Sequence, residues 1–188
     1  MISNALFIYI TLGLWLLMTI YWLITARTNS QTSFSSELLP LAKLIGSALI
    51  VYAPLLIGGV VATKLYHDNL WANVTGSFIC ALGVCLAIWA RNILGKNWSG
   101  NVMIQKEHHL IQDGPYHFVR HPIYLGGLLA MLGSSMVVGY FFGFAYCIFC
   151  AFGFWMKSKQ EENLLAKEFP NEFPQYKEHV RMLLPYLF

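Results

Sequence analysis

Long charge-free windows alternate along the chain with short polar connections. Residues 1–26 contain no Asp, Glu, Lys or Arg, and neither do the stretches between Lys43 and Lys64, between Asp68 and Arg91, and between Arg120 and Lys157. Each of the first three matches the ~20 residues that a helix needs to cross a hydrocarbon core of ~30 Å. The fourth is longer. Its most apolar part, Ile123 to Trp155, would be about 50 Å long as a single helix, which overshoots a bilayer. Two short or tilted helices that reverse near Gly133-Ser134-Ser135 or at Gly139 fit better. The pattern predicts an all-α integral membrane fold with five transmembrane helices, the last two forming a C-terminal helical hairpin.

Within the spans, Pro54 followed by Gly58-Gly59 predicts a kink, because proline removes a backbone donor. Gly83 and the alanines around it predict close helix contact through small residues. Two polar pieces lie outside the spans and together predict a cytoplasmic cap. From Arg91 to Pro122, turn formers such as Asn97-Trp98-Ser99-Gly100 and Asp113-Gly114-Pro115 predict an ordered loop with one short extended stretch. From Lys157 to Phe169 the last span continues as helix. Pro170 and Pro174 are expected to break it, and Tyr176 to Leu184 to form a short amphipathic helix on the membrane surface. The chain, 1–188, reads as one domain without internal repeats.

Composition settles the compartment. Apolar residues make up 57% of the chain and charged residues 11%, with a mean hydropathy of +0.55, against about 25% charged residues in soluble domains. The net charge of +3 comes from scattered basic residues, which excludes the dense patch of a nucleic-acid binder. The first window lacks the basic flank and small-residue cleavage site of a signal peptide, so it is expected to be a span. With five spans, the 27–43 and 91–122 connections and the tail share one side. That side carries every Lys and Arg except Lys64. By the positive-inside rule the N-terminus is outside, and the C-terminus and both polar pieces are cytoplasmic. Cys147 and Cys150 are spaced as CxxC within an apolar helix that offers no partners for zinc. They read as packing thiols, as do Cys80 and Cys85, and no metal site is expected.

Candidate chemistry sits at the two ends of the longest window. Arg120-His121-Pro122-Ile123-Tyr124 opens it, and Lys157 and Glu161-Glu162 follow it. Once the window folds back, a cation, an imidazole, a phenol and two carboxylates converge beside lipid. Singly, each has a plainer reading: a snorkelling Arg120, a proline in a first helical turn, Tyr124 as an interfacial anchor, and Glu161 and Glu162 on a solvated face.

These residues carry a resemblance. The run His108-His109-Leu110-Ile111, Gly114-Pro115-Tyr116 and Phe118 to Gly126, followed by Glu161-Glu162, Phe169, Tyr176 and Leu184-Pro185, resembles the isoprenylcysteine carboxyl methyltransferase family. These are integral-membrane enzymes that use S-adenosylmethionine. The resemblance covers about residues 90–188 as a cofactor-binding catalytic core and leaves 1–66 as variable N-terminal spans. It implies that Gln105, His108, Leu110, Ile111, Tyr116, His121, Pro122, Tyr124 and Glu161 bind the cofactor. It implies catalytic candidates in Arg120, Lys157 and Glu162, and a prenyl or other lipid methyl acceptor that enters sideways from the membrane. Two positions depart from the family. Lys157 stands where relatives place an acceptor-contacting arginine, so a charge is kept and a bidentate fork lost. His179 stands where arginine is common. Carboxyl O-methylation is therefore the leading expectation. Methylation of a phospholipid or amine lipid, and a sterol-reductase-like enzyme using NADPH, stand as alternatives, since such proteins look similar over the same half of the chain. A carboxylate acceptor would need only a cation to orient it, Arg120 or Lys157. An amine or hydroxyl would need a base, for which His121 and Glu162 are the candidates.

Overall fold

Lipid forces every backbone polar group to pair within its own segment, and helices dominate accordingly. A computed structural model describes residues 4–28, 46–47, 49–95 and 110–183. Its helices are α1 (Asn4–Thr28), α2 (Pro54–Ile57), α3 (Leu70–Leu94), α4 (Pro122–Val138), α5 (Phe141–Glu168) and α6 (Glu172–His179). Among the described residues there is no strand, only isolated bridges from Lys64 to Tyr140 and from Val119 to Arg181. Among the described residues three helices are long and apolar enough to cross a membrane: α1 over Asn4–Thr25, α3 and α5; α4 is apolar but shorter.

Local chemistry sets the boundaries. The Asn69 side chain caps α3 by accepting from the N–H groups of Trp71 and Ala72, which satisfies two donors that a helix start leaves free. Pro122 opens α4 in its first turn, where a missing N–H costs nothing. Helix α4 runs unbroken through Gly133-Ser134-Ser135 and ends at Gly139, whose φ of 76° is left-handed. Of the two expected break points, the helix ends at Gly139 and not at Gly133-Ser134-Ser135.

Over its described residues the second window is not one continuous helix. Helical residues at 49–52 give way to a turn at Ala53, the four-residue α2, and a 3-10 turn over Gly59–Ala62. Pro54 breaks the ladder as expected, and Gly58 and Gly59 extend the break, with φ values of 69° and 65°. The last helix also differs from expectation. It is α6 at Glu172–His179, not Tyr176 to Leu184, and residues 184–188 lie outside the described set. Pro174 does not break it, because it occupies the first turn; Pro170 follows the end of α5.

The core is a close antiparallel pairing of α3 and α4. A Cβ on Gly83 would lie 2.5 Å from the backbone of Gly126 and Ala130, and one on Gly133 would lie 2.3 Å from the carbonyl of Gly76. Glycines at matching spacing on both helices let the backbones touch. Helix α1 joins this pair through Trp15, whose indole N–H donates to Ser134 Oγ at 3.0 Å. Helix α5 lies along α4, with Gly143 against Ser135 near the turn and Phe154 beside Gly127 further along. The far ends of α4 and α5 therefore meet, and the candidate chemistry lies there.

Candidate active site

His121 immediately precedes α4, Tyr124 lies in its first turn, and Lys157, Glu161 and Glu162 lie on the last turns of α5. The Tyr124 hydroxyl donates to Glu161 Oε1 at 2.5 Å. His121 is buried between the two carboxylates. Its Nδ1 stands 3.4 Å from Glu161 Oε2. Its Nε2 stands 3.4 Å from Glu162 Oε1, within ion-pair reach but without an aligned hydrogen bond. Burial alone would pull the imidazole down, yet Glu161 and Glu162 outweigh it and raise the His121 pKa above its ordinary value.

The carboxylates differ in access. Glu162 is 4% exposed and Glu161 25%. Glu162 accepts from Arg120 Nε at 2.8 Å and lies 3.5 Å from Lys177 Nζ. Arg120 is itself buried and also donates through Nη1 to the carbonyls of Lys177 and Val180. Glu161 faces the open edge, where Lys157 Nζ, 40% exposed, lies 3.9 Å from its Oε1 and 5.4 Å from the Tyr124 ring. Aromatic faces line the same edge. His121 stacks on Tyr124 at 5.6 Å, and Tyr124 on Phe154 at 4.9 Å.

The structure thus brings together Arg120, His121, Tyr124, Lys157, Glu161 and Glu162, with Pro122 buried beneath them. Tyr116 lies near enough to feel the Glu161 charge, whereas the other expected residues are not among these contacts. The Tyr116 hydroxyl reaches toward the Ala90 carbonyl on α3, at 3.5 Å, and burial holds it protonated. Leu110 packs against Phe173, Tyr176 and Val180, and Ile111 is half-buried beside it in sequence. Gln105 and His108 lie outside the described residues. Two neighbours were not anticipated. Phe154 was hidden in a uniformly apolar run, and only its spacing of seven residues before Glu161 set it on that side of the helix. Lys177 comes from another helix and carries no local signal.

The chain is similar to known proteins over much of its length. A family model described as phospholipid methyltransferase matches residues 71–172. The protein-S-isoprenylcysteine O-methyltransferase of Schizosaccharomyces pombe is 30% identical over 182 residues, covering 86% of this chain and 76% of that protein. The Homo sapiens protein of the same name is 30% identical over 120 residues, covering 62% of this chain and 42% of that protein. That of Saccharomyces cerevisiae is 29% identical over 129 residues, covering 67% and 52%. The chain belongs to the family of phospholipid and isoprenylcysteine carboxyl methyltransferases. It spans less than half the length of the human relative.

Proposed function

We propose that the chain is an integral-membrane enzyme that methylates the carboxylate of an isoprenylcysteine-like lipid, with S-adenosylmethionine as donor. One observation carries the reading. At the end of two apolar helices, the partly open Glu161 is fixed by Tyr124 and His121, with the ammonium of Lys157 beside it. This donor set fits S-adenosylmethionine, which has an ammonium, ribose hydroxyls and a flat adenine. Glu161 would accept from the cationic or hydroxyl groups, while the faces of Tyr124 and Phe154 would flank the rest. When bound, the cofactor supplies a methyl group on a positively charged sulfur.

Lys157 would orient the acceptor. A carboxylate attacks through a lone pair it already has, so no proton need be removed, and the protein contributes position and exclusion of water. The description of the matching family favours a second reading, methylation of an amine lipid. Against it, the Lys157 ammonium at the open edge repels a cationic headgroup and attracts a carboxylate.

The finer topology belongs to the same proposal: five passes, the last two a hairpin, with a cap at the site end. In its support, Asn4 lies near Lys64 and Gly139 at the end opposite Glu161 and Glu162. With the basic residues clustered at the site end, the positive-inside rule supports a reading with the N-terminus outside and the site in the cytoplasm.

Calorimetric titration of the purified chain with S-adenosylhomocysteine and with NADPH tests the cofactor. Binding of the first and not the second is expected, and the reverse would overturn the reading. Offering a farnesylcysteine analogue, a phosphatidylethanolamine and a simple isoprenoid acid side by side tests the acceptor. Methylation of the amine lipid alone would install the second reading.

A further inference from the structure

The residues after α5 fold back on the start of α4 as a strap from Tyr176 to Met182. The Tyr176 hydroxyl donates to the Tyr116 carbonyl at 2.6 Å. The backbone N–H groups of Arg120 and His121 donate to the carbonyls of Arg181, at 2.8 Å, and Met182, at 3.1 Å. Phe173, Tyr176 and Val180 bury themselves against Leu110, Leu165 and Phe169.

Arg120 sits at the junction. Its Nη1 donates to the carbonyl of Lys177, in the last turn of α6, and to that of Val180 just beyond it. A helix end leaves such carbonyls without partners and favours a cation. The Nε of the same guanidinium holds Glu162, which Lys177 also approaches. With 9% of the residue exposed and these donors committed to protein acceptors, Arg120 is built as a clamp.

We propose that Arg120 is a positioning residue that clamps the strap Tyr176–Met182 to Glu162 and to the segment carrying His121, and that it does not hold the methyl acceptor. The consequence for catalysis rests on the methyltransferase reading, because it passes through His121 and Glu161 to the cofactor. The clamp itself does not rest on it.

The test is Arg120→Lys in the full-length chain, which keeps the charge and loses the fork. Amide hydrogen exchange without any ligand reads the strap. Faster exchange is expected at positions 120 and 121 and across 172–183, with α3 unchanged. Affinity for S-adenosylhomocysteine, and KM for S-adenosylmethionine, should worsen by about tenfold, the scale of one charged hydrogen bond, while the acceptor KM stays as it was. Unaltered exchange with a raised acceptor KM would overturn the proposal and make Arg120 an acceptor ligand. Should Arg120→Lys fail to fold, Tyr176→Phe and the exposed Lys177→Met each remove one outlying tie. The same segment should then loosen more mildly, and unchanged exchange in both would overturn the clamp. Wild-type protein that binds no S-adenosylhomocysteine would sink the methyltransferase reading alone, since the exchange result stands apart from it.

Discussion

Glu161 and Glu162 are neighbours in sequence and share His121, yet their other partners differ. Glu162 turns inward to Arg120 and Lys177, while Glu161 turns to Tyr124 and the open edge beside Lys157. One helical step of about 100° separates them. It leaves one carboxylate as a buried anchor and the other at the open edge, where the proposed function uses it to bind.

The division predicts opposite phenotypes. Glu161→Gln should leave the protein folded and weaken S-adenosylhomocysteine binding by about 1.5–3 kcal/mol, the worth of a hydrogen bond to a charged group. His121→Ala should weaken binding in the same direction. Glu162→Gln should instead leave the buried Arg120 guanidinium without its counter-charge and cost about 3–5 kcal/mol of stability. Calorimetry and thermal unfolding of the two glutamine variants separate the effects. Identical profiles for both would refute the division.

The glycine contacts between α3 and α4 predict a contrast within one residue type. Gly83→Ala would put a methyl 2.5 Å from backbone atoms of Gly126 and Ala130, which cannot rotate away. The helices must part, at about 1–3 kcal/mol. Gly13→Ala meets no described atom within 4 Å and should cost nothing measurable. The unfolding midpoints of the two variants in the same detergent check this.

Much of this fold was legible because lipid imposes a coarse rule. The charge-free windows over α1, α3 and α5 stand out since a charge there is expensive, and Gly83 announced its contact because only a glycine fits one. The second window was less legible. Pro54 marked a break, but the left-handed turns at Gly58 and Gly59 that extend it have no hydrophobic signature. Pro174 misled the reading of the final helix, because proline in a first turn and proline as a breaker look alike until the helix start is known. That Tyr124, His121 and Glu161 come together was legible from chemistry and spacing. The partners of Arg120 were not, since two of them are backbone carbonyls, which any residue supplies.

His121 predicts a pH dependence. Its pKa is raised in the folded protein because Glu161 and Glu162 outweigh burial. A raised value means that the folded state favours the imidazolium. The stability so contributed is full below the unfolded value of about 6.5 and is lost as pH rises through the raised folded value. The unfolding midpoint should therefore fall across that window, and His121→Gln should flatten the fall. A wild-type midpoint that rises over the same window would reverse the sign and refute the account.

Lys157 predicts how the acceptor is held. It lies four residues before Glu161 on one helix, so both side chains share a face, and its ammonium lies 3.9 Å from the carboxylate. At 40% exposure this pair is loose and contributes little, on the order of 0–1 kcal/mol. Removing the ammonium should therefore disturb Glu161 only slightly. Lys157→Met is expected to abolish methyl transfer while S-adenosylhomocysteine binds nearly as before. Lys157→Arg should retain or improve activity on carboxylate acceptors, because a guanidinium grips a carboxylate with two hydrogen bonds. It should do nothing for an amine lipid, which it would also repel. Single-turnover assays with the farnesylcysteine analogue, alongside calorimetry, make the measurement. A loss of cofactor affinity in Lys157→Met as large as its loss of turnover would mean that Lys157 belongs to the cofactor, and the separation of roles along this face of α5 would be wrong.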